Sequence, residues 1–207
     1  MAKKFVLILG GARSGKSKFA QGLAQSLGEK VLFMATGAPL DEEMALRIEV
    51  HKRKRPETWR TLEIGVKVGQ SLEREMGDAE VVLLDCLTLL VSNVILSPLS
   101  FGSSEGEMEN HYPCSLKASP FCHYEPSEAI SKAEIQVMTE LEQLIDFIDK
   151  YKGTFIAVSN EVGLGLVPEN KLGRVYRDLL GKANQLLAQR ADEVYFMAAG
   201  IPAKIKG

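Results

Sequence analysis

Cysteine and histidine are both scarce here, with three of each in 207 residues. Cys86, Cys114 and Cys122 cannot all pair with one another, and a chain of this length buries enough core to need no stapling, so they read as reduced thiols. An excess of one charge is also missing. With 25 Lys and Arg against 27 Asp and Glu, the formal net charge of -2 leaves no global basic field to draw the chain to nucleic acid or an anionic membrane. Long apolar runs are absent: Val81 to Leu84 and Phe155 to Val158 are strand-sized, and no apolar stretch with a cleavage site stands at the N-terminus. No membrane span and a cytoplasmic location are the expectation. Nor does any internal repeat appear, so a single domain over residues 1–207 is expected.

What is present is an alternation. Strand-like runs at Phe5 to Leu9, Val31 to Met34, Val81 to Leu84, Phe155 to Val158 and Val194 to Met197 are separated by helical patterns. Runs this continuous suit strands buried on both faces of a largely parallel sheet covered by helices, a doubly wound α/β layout. Phe19, Leu23 and Leu27 predict a first helix that stops at Gly28. A second is predicted from about Asp41 to Lys54, before Pro56, with Met44, Ile48 and His51 on one face. Two longer ones are predicted from about Ser127 to Tyr151 and from about Lys171 to Ala191. Between them, residues 97–126 break the pattern with serine, glycine, proline and two of the three histidines, and read as an irregular insert.

Directly after the first strand stands Gly10-Gly11-Ala12-Arg13-Ser14-Gly15-Lys16-Ser17, which matches G-x-x-x-x-G-K-[ST] in the strand-to-helix setting that motif requires. Its glycines allow turns in which successive N–H groups and a helix N-terminus face phosphate oxygens. Lys16 supplies a point charge near the β- and γ-phosphates, and the Ser17 hydroxyl is a Mg²⁺ ligand. Such a site also needs an acid at a neighbouring strand end. Asp85, after Val81 to Leu84, is the candidate partner of Ser17 on the metal, although an aspartate there also serves as a turn or helix cap.

His51 stands alone in the patterned body, followed by Lys52-Arg53-Lys54-Arg55. Two readings remain open at this level. It is a half-exposed histidine near a helix C-terminus, where cations are favoured, or a neutral imidazole that attacks phosphorus to form a covalent intermediate. Nothing in the spacing brings it to the phosphate loop.

Taken in order, the phosphate loop, Met34-Ala35-Thr36-Gly37, Asp41 to Met44, Arg47-Ile48, His51, Arg55-Pro56, Trp59 to Glu63 and the string Asn160-Glu161-Val162-Gly163-Leu164-Gly165-Leu166-Val167-Pro168-Glu169-Asn170 resemble the bifunctional adenosylcobinamide kinase / adenosylcobinamide-phosphate guanylyltransferase family of cobalamin biosynthesis. The resemblance runs from Leu7 to about Lys206. It implies a RecA-like P-loop NTPase fold of three layers, with a largely parallel central sheet and flanking helices. It further implies that ATP or GTP phosphorylates adenosylcobinamide and that GTP then donates GMP through a guanylylated histidine, which falls on His51. Nucleotide contacts would fall on Gly10 to Ser17, on Ala35, Thr36 and Gly37, on His51, Lys52, Arg53 and Lys54, and on Glu63 and Asp85. A homo-oligomer, a trimer, is implied as well.

Asn160 and Glu161 follow a buried strand at the edge where ligands lie in open α/β sheets, which marks them as substrate-binding candidates; a purely structural turn is the other reading. The insert departs from the family pattern. Its His111, Cys114, Cys122 and His123 invite a zinc reading, but their spacing fits no common finger. Two other functions compete with the two-step transferase: a single-reaction small-molecule kinase in which His51 is a surface residue, and a nucleotide-dependent switch that binds a partner protein.

Overall fold

The computed structural model describes residues 3–37, 42–53, 55–97 and 126–207. All five expected strands are present: β1 (Lys4–Gly10), β2 (Val31–Ala35), β4 (Val81–Asp85), β5 (Thr154–Val158) and β6 (Glu193–Ala198). Two edge strands join them, β3 (Arg60–Glu63) and β7 (Ile201–Lys206), giving a seven-stranded sheet in the order β3-β2-β4-β5-β1-β6-β7. Every pairing is parallel except that of β6 with β7.

Alternation along each central strand divides the core in two. Phe5, Leu7 and Leu9 of β1 face one side with Leu32, Met34, Val82, Leu84, Phe155 and Ala157, whereas Val6 and Ile8 face the other with Val31, Phe33, Val81, Leu83, Ile156 and Val158. The first side is covered by four helices, α3 (Val68–Glu75), α4 (Leu87–Leu96), α5 (Pro126–Lys150) and α6 (Lys171–Arg190). On the second, α1 (Lys16–Leu27) buries Ala20 and Ala24, with Trp59 alongside. Of a remaining helix, α2 (Glu42–Arg53), no described side chain belongs to either core. The layers are therefore three, as expected, but unequally filled.

Both helices unseen in the sequence, α3 and α4, lie on the crowded face. The α3 N-terminus is capped across the fold: the Glu140 carboxylate of α5 accepts from the backbone N–H of Lys67 at 2.9 Å and of Val68 at 2.6 Å. Gly69 lets the two helices touch, since a Cβ there would meet the Gln143 carbonyl oxygen at 2.6 Å. The insert at 97–126, with His111, Cys114, Cys122 and His123, lies outside the described residues apart from its two ends.

Candidate active site

Parallel pairing puts the carboxyl ends of the strands on one edge, and the register there is informative. Glu63 pairs with Ala35, Ala35 with Asp85, and Asp85 with Val158, so three positions implicated by the sequence fall in a row across β3, β2 and β4. Beside that row a cavity of about 1130 Å³ opens, walled by the phosphate loop from Ala12 to Ser17, by Ala35, Gly37, Glu63 and Asp85, and by Asn160 beyond β5.

The loop is shaped by strict local demands. Gly10 has φ +150°, and a Cβ there would meet the Met197 carbonyl oxygen at 2.5 Å and Ser14 Oγ at 2.8 Å. Gly15, at φ +93°, precedes the first helical residue, and Arg13 also takes a positive φ. The Lys16 side chain is almost wholly buried, and its ammonium donates to the Gly11 carbonyl at 2.6 Å. Gly10 and Gly11 thus form the base of the cradle rather than the cavity wall. The base is fastened on two sides: Glu161 N–H donates to the Gly10 carbonyl at 3.0 Å, and Gly200 N–H donates to the Ser14 carbonyl at 3.0 Å.

Ser17 and Asp85 share the cavity wall. A hydroxyl and a carboxylate are hard oxygen donors of the kind Mg²⁺ prefers, and an ion that keeps its waters and binds phosphate oxygens needs few protein ligands. Among the described residues no cluster of three His, Cys, Asp or Glu forms a self-contained metal centre. Next to Asp85, the Cys86 thiol is pushed up to about 11 by burial and by the neighbouring carboxylate. It is therefore a neutral wall group at physiological pH.

Thr36 has a different place from its neighbours. It is fully buried and does not line the cavity; its hydroxyl donates to the Cys86 carbonyl at 2.6 Å and accepts from Cys86 N–H at 2.9 Å. Its role is to hold the turn that follows Asp85. Asn160 reaches the wall because its backbone is held from both sides, its N–H donating to Thr88 Oγ1 at 2.7 Å and its carbonyl accepting from Asn184 at 3.0 Å. Glu161 turns back instead, and its carboxylate accepts from Gly163 N–H at 2.6 Å.

Helix α2 brings its C-terminal half to the cavity. Ile48 and Val50 are on the wall, Ile48 packs on Gly37, and Lys52 forms an ion pair with Glu63 at 2.6 Å. His51 and Arg53 belong to this helix by backbone, but their side chains and all of Lys54 lie outside the described residues, as does Asp41. Several wall residues carry no site assignment from the sequence, among them Phe33, Cys86, Leu89 and Arg55. Arg55 sits 3.9 Å over the Phe33 ring, and its Nε has no hydrogen-bond partner among the described residues. Burial pulls its guanidinium below the ordinary value, while Glu63 and Asp85 oppose that shift. Its spacing from the phosphate loop carries no signal, and only the fold unites the two.

A phosphate loop on a largely parallel sheet, opposite an aspartate-tipped strand, defines a P-loop nucleotide-binding protein. Residues 6–205 match the family model described as cobinamide kinase / cobinamide phosphate guanyltransferase. The chain belongs to that family. It is 37% identical over 201 residues to the bifunctional adenosylcobalamin biosynthesis protein CobU of Escherichia coli, covering 97% of this chain and 99% of that one. The counterpart in Pseudomonas aeruginosa, CobP, is 36% identical over 97% of this chain and 96% of its own. Among solved structures, a protein of Pyrococcus horikoshii OT3 aligns with TM-score 0.52 at 9% identity over 100% of this chain and 87% of that one. The RadB recombinase aligns with TM-score 0.42 at 14% identity, over 94% and 74%. No helix among the described residues is long and apolar enough to cross a membrane.

Proposed function

We propose that this chain phosphorylates adenosylcobinamide with ATP or GTP, and then transfers GMP from GTP to adenosylcobinamide phosphate through a guanylylated His51. The observation that carries the reading is the convergence on one cavity of a complete phosphate loop, the Glu63–Ala35–Asp85 row and the helix that bears His51. Family membership supplies the two reaction types.

In the first step, backbone N–H groups of the loop and Lys16 hold the phosphates in place. The substrate hydroxyl oxygen attacks the γ-phosphorus, the bond from that phosphorus to the β-phosphate oxygen breaks, a nucleoside diphosphate leaves, and the hydroxyl proton passes to solvent. Mg²⁺ held by Ser17 and Asp85 would neutralise charge on the phosphate oxygens. In the second step, an imidazole nitrogen of His51 attacks the α-phosphorus of GTP and pyrophosphate departs. A phosphate oxygen of the corrinoid then attacks the same phosphorus, the N–P bond breaks, and adenosylcobinamide-GDP leaves a free imidazole. Cations at Lys52 to Arg55 favour a neutral nucleophile and steady the departing pyrophosphate.

Asn160 contacts the corrinoid arm in this scheme, with Glu161 shaping the turn beside it. The chain acts as one domain, a cytoplasmic homotrimer. Incubation with α-labelled GTP and Mg²⁺ without corrinoid gives a protein-bound label that is acid-labile and alkali-stable, and His51→Ala takes up none. A single-step kinase takes up no label in either form.

A further inference from the structure

The string Gly163-Leu164-Gly165-Leu166-Val167 has no part in the steps above. Leu164 is 81% exposed, Leu166 96% and Val167 66%, three large apolar side chains on five residues. Their exposure is built in. The Arg177 guanidinium of α6 donates to the Gly163 carbonyl, and that of Arg174 donates to the carbonyls of Pro168, at 3.1 Å, and Glu169. Gly165 N–H closes a turn onto the Val162 carbonyl at 3.2 Å, and the Asn170 side chain accepts from Gly173 N–H at 2.6 Å. At the near end, Glu161 is bonded to Gly10 of the phosphate loop. A backbone fastened at these points presents its apolar side chains to solvent in a set position, although burying them would be favourable.

Resting on the functional reading above, we propose that this loop is the platform for the corrin macrocycle of the substrate. With a nucleoside triphosphate in the cavity, a corrin ring, whose methyl-bearing faces are apolar inside a rim of amides, needs a surface beside that cavity from which its hydroxyl arm reaches in. Asn160 is on the cavity wall and Leu164 is four residues further on, so the platform begins within about 14 Å of that wall. That separation suits a rigid ring with a flexible arm.

The test is equilibrium dialysis of cobinamide against the wild-type protein and the Leu164→Ser/Leu166→Ser variant, with nucleotide affinity and sedimentation measured on both. The expected result is a cobinamide Kd raised by about 10-fold or more in the variant, with nucleotide Kd and assembly size unchanged, and recovery in Leu164→Met/Leu166→Met. Equal cobinamide affinity in wild type and variant overturns the platform alone. A smaller assembly in the variant also overturns it and makes the loop a subunit contact. Wild-type protein that binds no cobinamide overturns the functional reading and the platform together.

Discussion

Gly10 shows how closely the cradle is specified at single positions. Any side chain there both strains the backbone at φ +150° and collides with the Met197 carbonyl and the Ser14 hydroxyl. Gly10→Ala is expected to cost about 1–3 kcal/mol of stability and to weaken nucleotide binding at least tenfold, read from urea midpoints and a nucleotide titration. Gly11 is a contrast, since a Cβ there meets nothing within 4 Å, and Gly11→Ala should leave stability nearly unchanged. The phosphate loop was legible because its chemistry is encoded in eight consecutive residues. Arg55 was not, because its significance depends on Phe33, Glu63 and Asp85, which only the sheet register assembles. Thr36 was assigned to the nucleotide with its neighbours, yet burial turns its hydroxyl onto Cys86. Adjacent residues in a strand-end turn face different ways, and composition does not say which.

Among the elements, strands buried on both faces announced themselves as unbroken apolar runs. β3 and β7 did not, since at the sheet edges they bury little and their residues are mostly polar or exposed. α3 was equally hidden. Its N-terminus has no side-chain cap of its own, and Glu140, which serves it, lies 72 residues from Val68. Glu140→Ala strips the acceptor from a buried N–H and from its neighbour. The expected cost is about 1–3 kcal/mol, measured by chemical denaturation, with roughly half of it regained in Glu140→Gln. The four-helix face, with α5 and α6 packed on α3 and α4, should otherwise persist. α2 presents the opposite case: its approximate limits are legible from Asp41 and Pro56, but its place at the cavity follows from the Lys52–Glu63 pair and the Ile48–Gly37 contact.

Across the whole molecule, the class of fold was legible and the strand order was not. Alternating strands and helices imply a wound parallel sheet, but nothing local tells β5 to enter between β1 and β4 or β7 to close the far edge antiparallel. That edge is tied by Glu193, whose carboxyl is held down at about 2 by the Lys204 hydrogen bond, with Lys4 and Tyr195 adding to it. A carboxyl depressed on folding adds stability above its unfolded value, near 4.5, and surrenders it as the pH falls toward 2. The wild-type protein should therefore lose stability between about pH 4.5 and pH 2, and Glu193→Gln should be less stable at pH 7 with a shallower slope across that window, both read from urea midpoints against pH.

All three scales meet in the claim that the helix bordering this cavity carries the guanylyl acceptor. Peptide mapping by mass spectrometry, after the protein has been incubated with GTP and Mg²⁺ and quenched at high pH, tests it most directly. One GMP residue is expected on the peptide containing His51 and on no other. An adduct on a different peptide, or none in a preparation that still phosphorylates cobinamide, contradicts it.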